Sequence, residues 1–264
     1  MRACFIGNSY LVALKNGLDL EPSPLTGNVS FIFAPGSELQ LTVDSESIVP
    51  TAQRAMISYA SGVVSGEIKL ADYDLFVVIG LGFGTGHCAR MYRHWCLAKH
   101  MAGQRPISRA ALAASITGML KQTRAAAIVT QLRHHTARPI YLVPQPNPVG
   151  SLREAKPASV RATQTAEFWK PLFDDAVALE LYEIYQGAAN RAAHGLGALL
   201  LEQPADTRDP FFTREEYRLL SRDGKSFQQS GDKRVDIEDY GHMNAAFGRR
   251  IIAEIESAIL PWVR

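Results

Sequence analysis

The sequence predicts an α/β fold with three layers, in which helices cover both faces of a five-stranded parallel sheet. Short apolar segments alternate along the chain with helix-like stretches, as in proteins built from strand–helix–strand units. Each of these segments is apolar at nearly every position, which is typical of strands that are covered on both faces. The 264 residues contain no repeat, low-complexity tract or linker, so we expect one domain over residues 1–264.

Five apolar segments are the predicted strands of this sheet. In chain order they are Arg2–Ile6, Val29–Ala34, Leu75–Ile79, Pro139–Val143 and Ala198–Leu201. Residues 37–72 mix turn signals with short strand-like pieces, and we expect them to be irregular. Ligands of such sheets bind at the carboxyl ends of the strands, so the residues that follow each strand are the first candidates for a site.

Helix-like segments separate the predicted strands. They span Tyr10–Leu18, Cys88–Met101, Arg109–Leu132, Ala166–His194 and His242–Ala258. Pro106 and Ser108 supply a start and a cap before the third of them.

The bulk composition is that of an ordinary globular protein, with 47% hydrophobic and 20% charged residues. No apolar run approaches the roughly 20 residues of a membrane span, and no leader peptide is visible. We therefore expect a cytoplasmic protein without a membrane partner. Cys4, Cys88 and Cys96 show no C-x-x-C spacing, so we expect free thiols and no metal site.

The net charge of +2 is unevenly distributed, because residues 75–153 contain no Asp or Glu. The basic residues of this acid-free segment are Arg90, Arg93, Lys99, Arg105, Arg109, Lys121, Arg124, Arg133, Arg138 and Arg153. One interpretation is solvated helix faces whose acidic partners lie elsewhere in the fold; the other is a basic rim that attracts an anionic substrate. Because no nucleic-acid-binding motif accompanies the charge, we do not expect a nucleic-acid partner.

A glycine-rich loop, GLGFGTG, follows the third predicted strand at residues 80–86. Such loops bring the backbone close to the phosphates of nucleotide cofactors, which suggests a cofactor-dependent enzyme as one alternative. The spacing is not G-x-G-x-x-G, and the acidic residue that should hold the ribose has no candidate before Glu154. We therefore expect no cofactor and interpret the loop as a turn whose N–H groups line a pocket.

The two ends of the chain carry groups that suit nucleophilic catalysis. The first strand ends in Gly7-Asn8-Ser9, and Asp239 and His242 form a D-x-x-H pair before the last helix. A carboxylate that orients an imidazole leaves the other ring nitrogen free to deprotonate a serine. The plainer alternatives are that Ser9 caps the first helix and that Asp239 and His242 form a structural pair.

These blocks resemble the SGNH (GDSL-like) superfamily of esterases and acyltransferases. Its members have a first strand ending in Gly-Asp-Ser or Gly-Asn-Ser and a D-x-x-H block leading into the final helix; here these are residues 7–9 and 239–242. The segment YDLFVVIGLG, residues 73–82, is similar to the superfamily's third-strand block. No G-x-S-x-G occurs, so the α/β-hydrolase elbow is not the match.

The resemblance implies a flavodoxin-like sheet and assigns roles to individual residues. Ser9 would be the nucleophile, His242 the base and Asp239 the group that orients His242. The oxyanion hole would use the N–H of Ser9, the N–H of a glycine after the second strand, and an Asn side chain after the third. Gly36 is the best match for the glycine, and Gly66 is its alternative.

The third oxyanion donor is where this sequence departs from the superfamily. The pattern there is Gly-x-Asn-Asp, whereas residues 80–84 contain no Asn. The N–H of Gly82 is our first substitute, with the N–H of Gly84 and the side chain of Asn147 as alternatives. Loss of one such donor typically lowers the rate by about 10²–10³-fold.

The predicted function is therefore a serine ester hydrolase or acyltransferase. The resemblance favours a small acyl group, such as acetyl, on a saccharide, and the acid-free segment favours an anionic carrier. A catalytically degenerate binding protein of the same fold and the cofactor-dependent enzyme remain the alternatives. The oligomeric state does not follow from the sequence.

Overall fold

The computed structural model describes residues 1–34, 39–51, 56–59, 62–64, 67–97, 104–154, 160–219 and 241–259. The strands are β1 Ala3–Gly7, β2 Val29–Phe33, β3 Leu41–Val43, β4 Ser47–Pro50, β5 Met56–Tyr59, β6 Gly62–Val64, β7 Ile68–Lys69, β8 Leu75–Ile79, β9 Trp95–Leu97, β10 Arg105–Ile107, β11 Ile140–Val143, β12 Leu199–Leu200, β13 Arg208–Asp209 and β14 Phe212–Thr213. The α-helices are α1 Leu11–Leu18, α2 Gly86–Tyr92, α3 Arg109–Lys121, α4 Arg124–His135, α5 Val160–Trp169, α6 Asp175–Gly195 and α7 Ala245–Ile259. Short 3-10 helices cover Leu70–Asp72, Gly150–Arg153, Lys170–Leu172, Ala205–Thr207 and Glu215–Tyr217.

The main sheet has the strand order β12-β11-β8-β1-β2-β5-β6. Its first five strands pair in parallel, and they are the five strands that the apolar segments predict. The hairpin β5–β6 then adds two antiparallel strands beside β2. The prediction of a five-stranded parallel sheet is thus confirmed, and the hairpin extends it within residues expected to be irregular.

The register brings the carboxyl ends of the central strands level with one another. Gly7, the last residue of β1, pairs with Ile79 of β8 and with Phe33 of β2. Val143, the last residue of β11, also pairs with Ile79. The segments that follow β1, β8 and β11 therefore leave the sheet side by side.

Alternate residues of the central strands are buried beneath helices on opposite faces of the sheet, as the pleat requires. Phe5, Val77 and Tyr141 pack in the layer that contains α1 and α7. Cys4 and Phe76 pack in the layer that contains α2, α3, α4 and α6. The three-layer arrangement is therefore confirmed, and its two apolar layers explain why the strands lack apolar–polar alternation.

Helices α1 and α7 cross with their backbones in contact. A Cβ atom on Gly248 would lie 1.8 Å from the carbonyl oxygen of Ala13, and one on Gly17 would lie 2.4 Å from the amide nitrogen of Arg249. Only glycine permits this approach at either position. Because α1 follows Ser9 and α7 follows His242, this crossing holds the segments that carry Ser9 and His242 near each other.

The structure divides the predicted helix over Arg109–Leu132 into α3 and α4. The break occurs at Gln122 and Thr123, where the Oγ1 of Thr123 accepts a hydrogen bond of 3.2 Å from the amide of Ala126. Thr123 is thus an N-cap in the middle of an otherwise helical pattern, and an N-cap residue stabilises a new helix start. The cap predicted at Ser108 is present, since its Oγ accepts from Ala111 N–H at 3.2 Å.

Three other segments also differ from expectation. The helix predicted over Ala166–His194 is divided into α5 and α6, because Asp174 caps a new helix start after the 3-10 helix Lys170–Leu172. The helix predicted from Cys88 ends at Tyr92, and Trp95–Leu97 form a strand that pairs with β10; residues 98–101 of that prediction lie outside the described residues. Within residues 37–72, β3 and β4 pair with each other and β4 pairs with β7. These short strands gain hydrogen bonds from partners distant in sequence, which local patterns do not contain.

Candidate active site

The residue directly after the β1 turn, Ser9, contacts His242 from the other end of the chain. The Oγ of Ser9 lies 2.8 Å from the Nε2 of His242. The N-cap residue of α1 is Tyr10, and it makes no side-chain capping hydrogen bond. Among the described residues, the only hydrogen-bond partner of the Ser9 hydroxyl is His242, so this hydroxyl serves the imidazole and not the helix.

The segment that carries His242 is held by its backbone and by its neighbour Asn244. The amide of Leu219 donates to the carbonyl of His242 at 3.0 Å, and the amide of Asn244 donates to the carbonyl of Tyr217 at 2.9 Å. Asn244 caps α7, because its Oδ1 accepts from the amide of Phe247 at 3.1 Å. The imidazole of His242 is therefore not the helix cap, and it packs beside the ring of Tyr10 with 5.7 Å between ring centroids.

Three of the predicted site residues lie outside the described residues. They are Asp239, the expected partner of His242, and the two alternative oxyanion glycines, Gly36 and Gly66. Their roles remain predictions from the sequence. The described part of the site consists of the segment after β1, the segment after β8, the segment after β11 and the start of α7.

The segment after β8 begins with a left-handed turn. Gly80, Leu81 and Gly82 have φ angles of 68°, 51° and 85°, and the amide of Phe83 donates to the carbonyl of Gly80 at 2.9 Å. This is the pattern of a type I′ turn. Leu81 is strained there, since it is not glycine; burial of its side chain and a 3.3 Å hydrogen bond from Ala125 N–H to its carbonyl hold it in place.

Two backbone N–H groups near Ser9 suit the stabilisation of an oxyanion. In the part of the chain that the structure describes, neither the amide of Ser9 nor that of Gly82 has a hydrogen-bond acceptor. Gly82 is exposed, whereas the preceding Leu81 is buried. Gly82 also lines the cleft beside Asn8, so its N–H is a donor that a ligand in this cleft can reach.

The turns after β1 and β8 touch each other. A Cβ atom on Gly80 would lie 3.0 Å from the Oδ1 of Asn8 and 2.9 Å from the Cδ2 of Tyr10. The same Oδ1 accepts from the amide of Tyr10 at 3.4 Å. A side chain at position 80 would therefore displace residues on both sides of Ser9.

Gln145, which follows β11, contacts both of these turns. Its Nε2 donates to the hydroxyl of Tyr10 at 2.6 Å, and its amide donates to the carbonyl of Phe83 at 2.7 Å. Gly84 packs directly on Gln145, because a Cβ atom at position 84 would lie 2.9 Å from the Cβ of Gln145. The sequence analysis assigned no role to Gln145, although its place after a buried strand was a usable signal.

Both polar atoms of the Asn147 side chain form hydrogen bonds within the protein. The side chain is buried; its Nδ2 donates to the carbonyl of Phe211 at 2.6 Å, and its Oδ1 accepts from Thr85 Oγ1 at 2.7 Å. These contacts join the segment after β11 to the segment before β14 and to the segment after β8. Because this amide group is buried and its Nδ2 is turned toward Phe211, the contacts favour Gly82 over Asn147 as the third donor.

An open cleft of about 580 Å³ begins at Asn8 and extends over the β8 turn toward α4. Its polar lining includes Asn8, His87, Arg90, Gln122, Arg124 and Gln145. Ligand pockets typically span about 300–1,000 Å³, so the cleft is large enough for a saccharide-sized molecule. The sequence pointed to Arg90 and Arg124 only as members of the acid-free segment.

His87 supports the β8 turn from within the cleft. Its Nε2 lies 3.0 Å from the carbonyl oxygen of Gly82, and its buried Nδ1 has no partner among the described residues. Burial lowers the pKa of His87 below its ordinary value, and the positive charge of Arg90 lowers it further, while the hydrogen bond to Gly82 opposes them. A neutral imidazole that donates from Nε2 to the Gly82 carbonyl fits these contacts.

The described residues contain neither a metal-binding cluster nor a membrane-spanning helix. No cluster of three or more His, Cys, Asp or Glu side chains suited to a metal ion occurs there. Likewise, none of the helices in those ranges combines the length and the apolar character that crossing a bilayer needs. The thiols of Cys4, Cys88 and Cys96 are free and buried; burial raises the pKa of Cys88 to about 12.

No model of a protein family matches this chain, and no curated protein matches it. Among solved structures, it is similar to the periplasmic domain of a lipopolysaccharide acetyltransferase from Salmonella ser. Paratyphi A. The sequences are 12% identical, the match covers 98% of this chain and 84% of that chain, and the TM-score is 0.36. A likeness at this TM-score carries no argument about activity.

Proposed function

We propose that this protein is a serine ester hydrolase or acyltransferase that works through an acyl-Ser9 intermediate. The observation that carries the proposal is the 2.8 Å distance between Ser9 Oγ and His242 Nε2, which joins residues 233 positions apart. A nucleophile within hydrogen-bond reach of a base is the signature of this chemistry. The resemblance to the SGNH superfamily, which names the same two residues, supports it independently.

In the proposed reaction, the Oγ of Ser9 attacks the ester carbonyl while Nε2 of His242 takes the hydroxyl proton. The tetrahedral intermediate then collapses: the bond to the alcohol oxygen breaks, and His242 returns the proton to that oxygen. Water, or the hydroxyl of an acceptor, next loses a proton to His242 and attacks the acyl group. Ser9 leaves with that proton, and the enzyme is restored.

The negative charge on the carbonyl oxygen requires hydrogen-bond donors beside Ser9. The amides of Ser9 and Gly82 are proposed as two of them, because neither has an acceptor among the described residues. Gly36, with Gly66 as its alternative, is proposed from the resemblance as the source of another. Such preorganised donors contribute several kcal/mol to lowering the barrier, typically about 3–4 kcal/mol each.

Asp239 is proposed to orient His242. A carboxylate on Nδ1–H would select the tautomer whose Nε2 accepts a proton, and it would stabilise the imidazolium that forms. The ring of Tyr10 limits the orientations of the same imidazole from one side, and Gln145 holds the Tyr10 hydroxyl. The proposed base is therefore positioned by contacts from both ends of the chain.

The proposed substrate is a small acyl ester, such as an acetyl ester of a saccharide. The preference for acetyl and for a saccharide comes from the resemblance, and the adjacent cleft of about 580 Å³ supplies room for a carrier of that size. Hydrolysis and transfer share the acyl-Ser9 intermediate and differ in whether water or a second hydroxyl resolves it. A cytoplasmic site of action is proposed from the sequence.

The test is the Ser9→Ala variant assayed with p-nitrophenyl acetate and with a fluorophosphonate probe. We expect loss of turnover by about 10⁴-fold or more and loss of covalent labelling, with an unchanged circular dichroism spectrum. The control is Ser115→Ala, which removes a hydroxyl from the middle of α3 and should retain full activity. Full activity in Ser9→Ala would refute the proposal.

A binding protein of the same fold is the second candidate, favoured by one observation. No Asn occupies the third-strand block, and Asn147 is engaged elsewhere, so a side-chain oxyanion donor is missing from this position. If the fluorophosphonate probe fails to label Ser9 in folded protein, while saccharide esters bind, this second candidate replaces the first.

A further inference from the structure

The acid-free segment contains two kinds of arginine in the structure. Arg109 has its acidic partners on α6, since it contacts Glu180 and Glu183 at 3.1 Å each. Arg153 likewise pairs with Asp175 of α6. These arginines fit the interpretation that the positive charge is balanced by acids elsewhere in the fold.

Arg90 and Arg124 do not fit that interpretation. Both are exposed and line the cleft beside the β8 turn, and within the described residues neither forms an ion pair or a side-chain hydrogen bond. No Asp or Glu of those residues lines the cleft. Two unpaired guanidinium groups that face one open cavity give it a positive potential.

Further features of α4 add to the positive potential at this place. Arg124 is the first residue of this 12-residue helix, so its side chain lies where the helix dipole is positive. The hydroxyl of Thr123 is already used to cap the helix, and the backbone amide of Arg124 has no acceptor in the described ranges. A neighbouring cleft of about 340 Å³ also includes Arg124 in its lining, so this arginine stands at the junction of two cavities.

The cleft borders the proposed active site. Asn8 and Gln145 belong to its lining; Asn8 precedes Ser9, and Gln145 donates to Tyr10, which follows Ser9. A molecule whose acyl group reaches Ser9 can therefore extend its carrier along the β8 turn toward Arg90 and Arg124. Guanidinium groups match carboxylate and phosphate oxygens in geometry as well as in charge.

We propose that Arg90 and Arg124 form a subsite for an anionic group, a carboxylate or a phosphate, on the carrier portion of the ester. This inference rests on the proposed function, because it identifies the class of substrate that reaches Ser9. Arg124 is the principal contact, since its side chain starts from the positive end of α4. Arg90 approaches the same cleft from α2.

Binding is measured first, in a Ser9→Ala background that cannot turn over an ester. The probes for calorimetric titration are 4-acetoxybenzoate and 4-acetoxyphenyl phosphate, with methyl 4-acetoxybenzoate as the neutral analogue. We expect both anions to bind more tightly than the neutral ester. Arg124→Gln should weaken the binding of the anions by about tenfold or more and leave the neutral ester unchanged.

The matched control is Arg93→Gln. Arg93 follows α2, so this variant removes the same charge close to Arg90 but outside the cleft lining. It should change anion binding less than about twofold, as expected for an exposed charge that is screened by salt and does not contact the anion. The variant Arg124→Lys keeps the charge but loses the planar donor pair, and it should fall between the parent and Arg124→Gln.

The outcomes separate the subsite from the proposed function. Equal binding of anionic and neutral probes, or an equal loss in Arg93→Gln and Arg124→Gln, overturns the subsite even if p-nitrophenyl acetate is hydrolysed. Suppose that anion binding depends on Arg124, while the parent protein's Ser9 is neither labelled by the fluorophosphonate probe nor acylated by an ester. This result supports the subsite and overturns the hydrolase. A difference between carboxylate and phosphate probes identifies the anionic group.

Discussion

The segments after β1 and β8 leave neighbouring strands at the same edge of the sheet, yet they present different chemistry. The first reaches its helix after three residues and places the hydroxyl of Ser9 against the imidazole of His242. The second makes a left-handed turn and takes six residues to reach α2. The first segment therefore carries the proposed nucleophile, whereas the second offers backbone amides and part of the lining of a cleft.

The difference follows from what each segment packs against. The β1 segment is held by α1, whose backbone contacts that of α7 through Gly17 and Gly248. The β8 segment packs instead against the start of α4, where Ala125 N–H donates to the carbonyl of Leu81, and glycines on both sides of Leu81 let it turn sharply. The contact between Ser9 and His242 depends on two helices held rigidly against each other. The free N–H of Gly82 depends instead on a turn that gives it no acceptor among the described residues.

The largest expected effect is a difference in kcat between variants of His242, beside Ser9, and of His87, beside the β8 turn. His242→Ala removes the proposed base, so we expect kcat for p-nitrophenyl acetate to fall by about 10⁴-fold or more. His87→Ala removes only a support of the β8 turn, and we expect less than about a tenfold loss, with destabilisation of about 1 kcal/mol. Steady-state kinetics and thermal unfolding measure both; equal losses in kcat would contradict the assignment of the base.

The next effect concerns the helix crossing that holds the β1 segment. Gly248→Ala places a methyl group 1.8 Å from the carbonyl oxygen of Ala13, so the helices must separate. We expect destabilisation of about 3 kcal/mol or more, measured by urea unfolding.

The control for this crossing is Gly118→Ala, in the middle of α3. A Cβ atom there meets nothing within 4 Å, so the change should stabilise the protein by up to about 1 kcal/mol, as for any exposed helix glycine. Destabilisation by Gly118→Ala as large as that by Gly248→Ala would show that the contact is not the cause.

A smaller effect should appear where the two segments touch. Gly80→Ala forces alanine into a left-handed conformation and places its methyl group 3.0 Å from Asn8 Oδ1. Gly27→Ala imposes a similar φ, but its methyl group meets nothing within 4 Å. We expect about 1 kcal/mol of destabilisation for Gly27→Ala and a further 1–3 kcal/mol, roughly, for Gly80→Ala.

Activity provides the second measurement for this pair. Gly80→Ala should lower kcat for p-nitrophenyl acetate, because Asn8 and Tyr10 flank Ser9, whereas Gly27→Ala should leave kcat unchanged. If both variants keep the parental kcat, the contact between the two segments does not position Ser9.

The smallest effect should be the contribution of His87 to the pH dependence of stability. Its pKa is lowered in the folded state, chiefly by burial, so the unfolded chain binds more protons as the pH falls below the ordinary value. The stability contribution is therefore fully present above the unfolded pKa and is lost as the pH falls through that value toward the folded pKa. In His87→Gln, Tm should decrease less steeply as the pH falls below the ordinary histidine pKa. The same dependence of Tm on pH in the variant and the parent would argue against a buried neutral imidazole.

Local patterns were sufficient for much of the fold and for the central pair of the site. The strands were predictable because their burial on both faces leaves uninterrupted apolar runs. Ser9 and His242 were predictable as neighbours because parallel strands bring their carboxyl ends to one edge. Asp239 was predicted from its spacing to His242 and from the resemblance, and Gly36 and Gly66 from the resemblance alone; all three stay predictions.

Other features of the site depended on contacts between distant residues. Nothing near Asn147 in the sequence shows that its amide is occupied by Phe211 and Thr85. Thr123 looked like one more residue of a long helix, and its cap became visible only in three dimensions. The β5–β6 hairpin was missed because a short edge strand is stabilised by its neighbour and not by its own pattern.

The sequence alone does not determine which arginines of the acid-free segment have acidic partners. The absence of acidic residues over 79 consecutive positions, 75–153, is a property of the chain, and it already limited the explanations to balanced helix faces or a basic rim. Choosing between them required knowing that α6 reaches Arg109 and Arg153 and that the described acids leave Arg90 and Arg124 unpaired. Charge pairing acts through space over a few ångströms, so packing, and not the order of residues, determines which cations face a ligand.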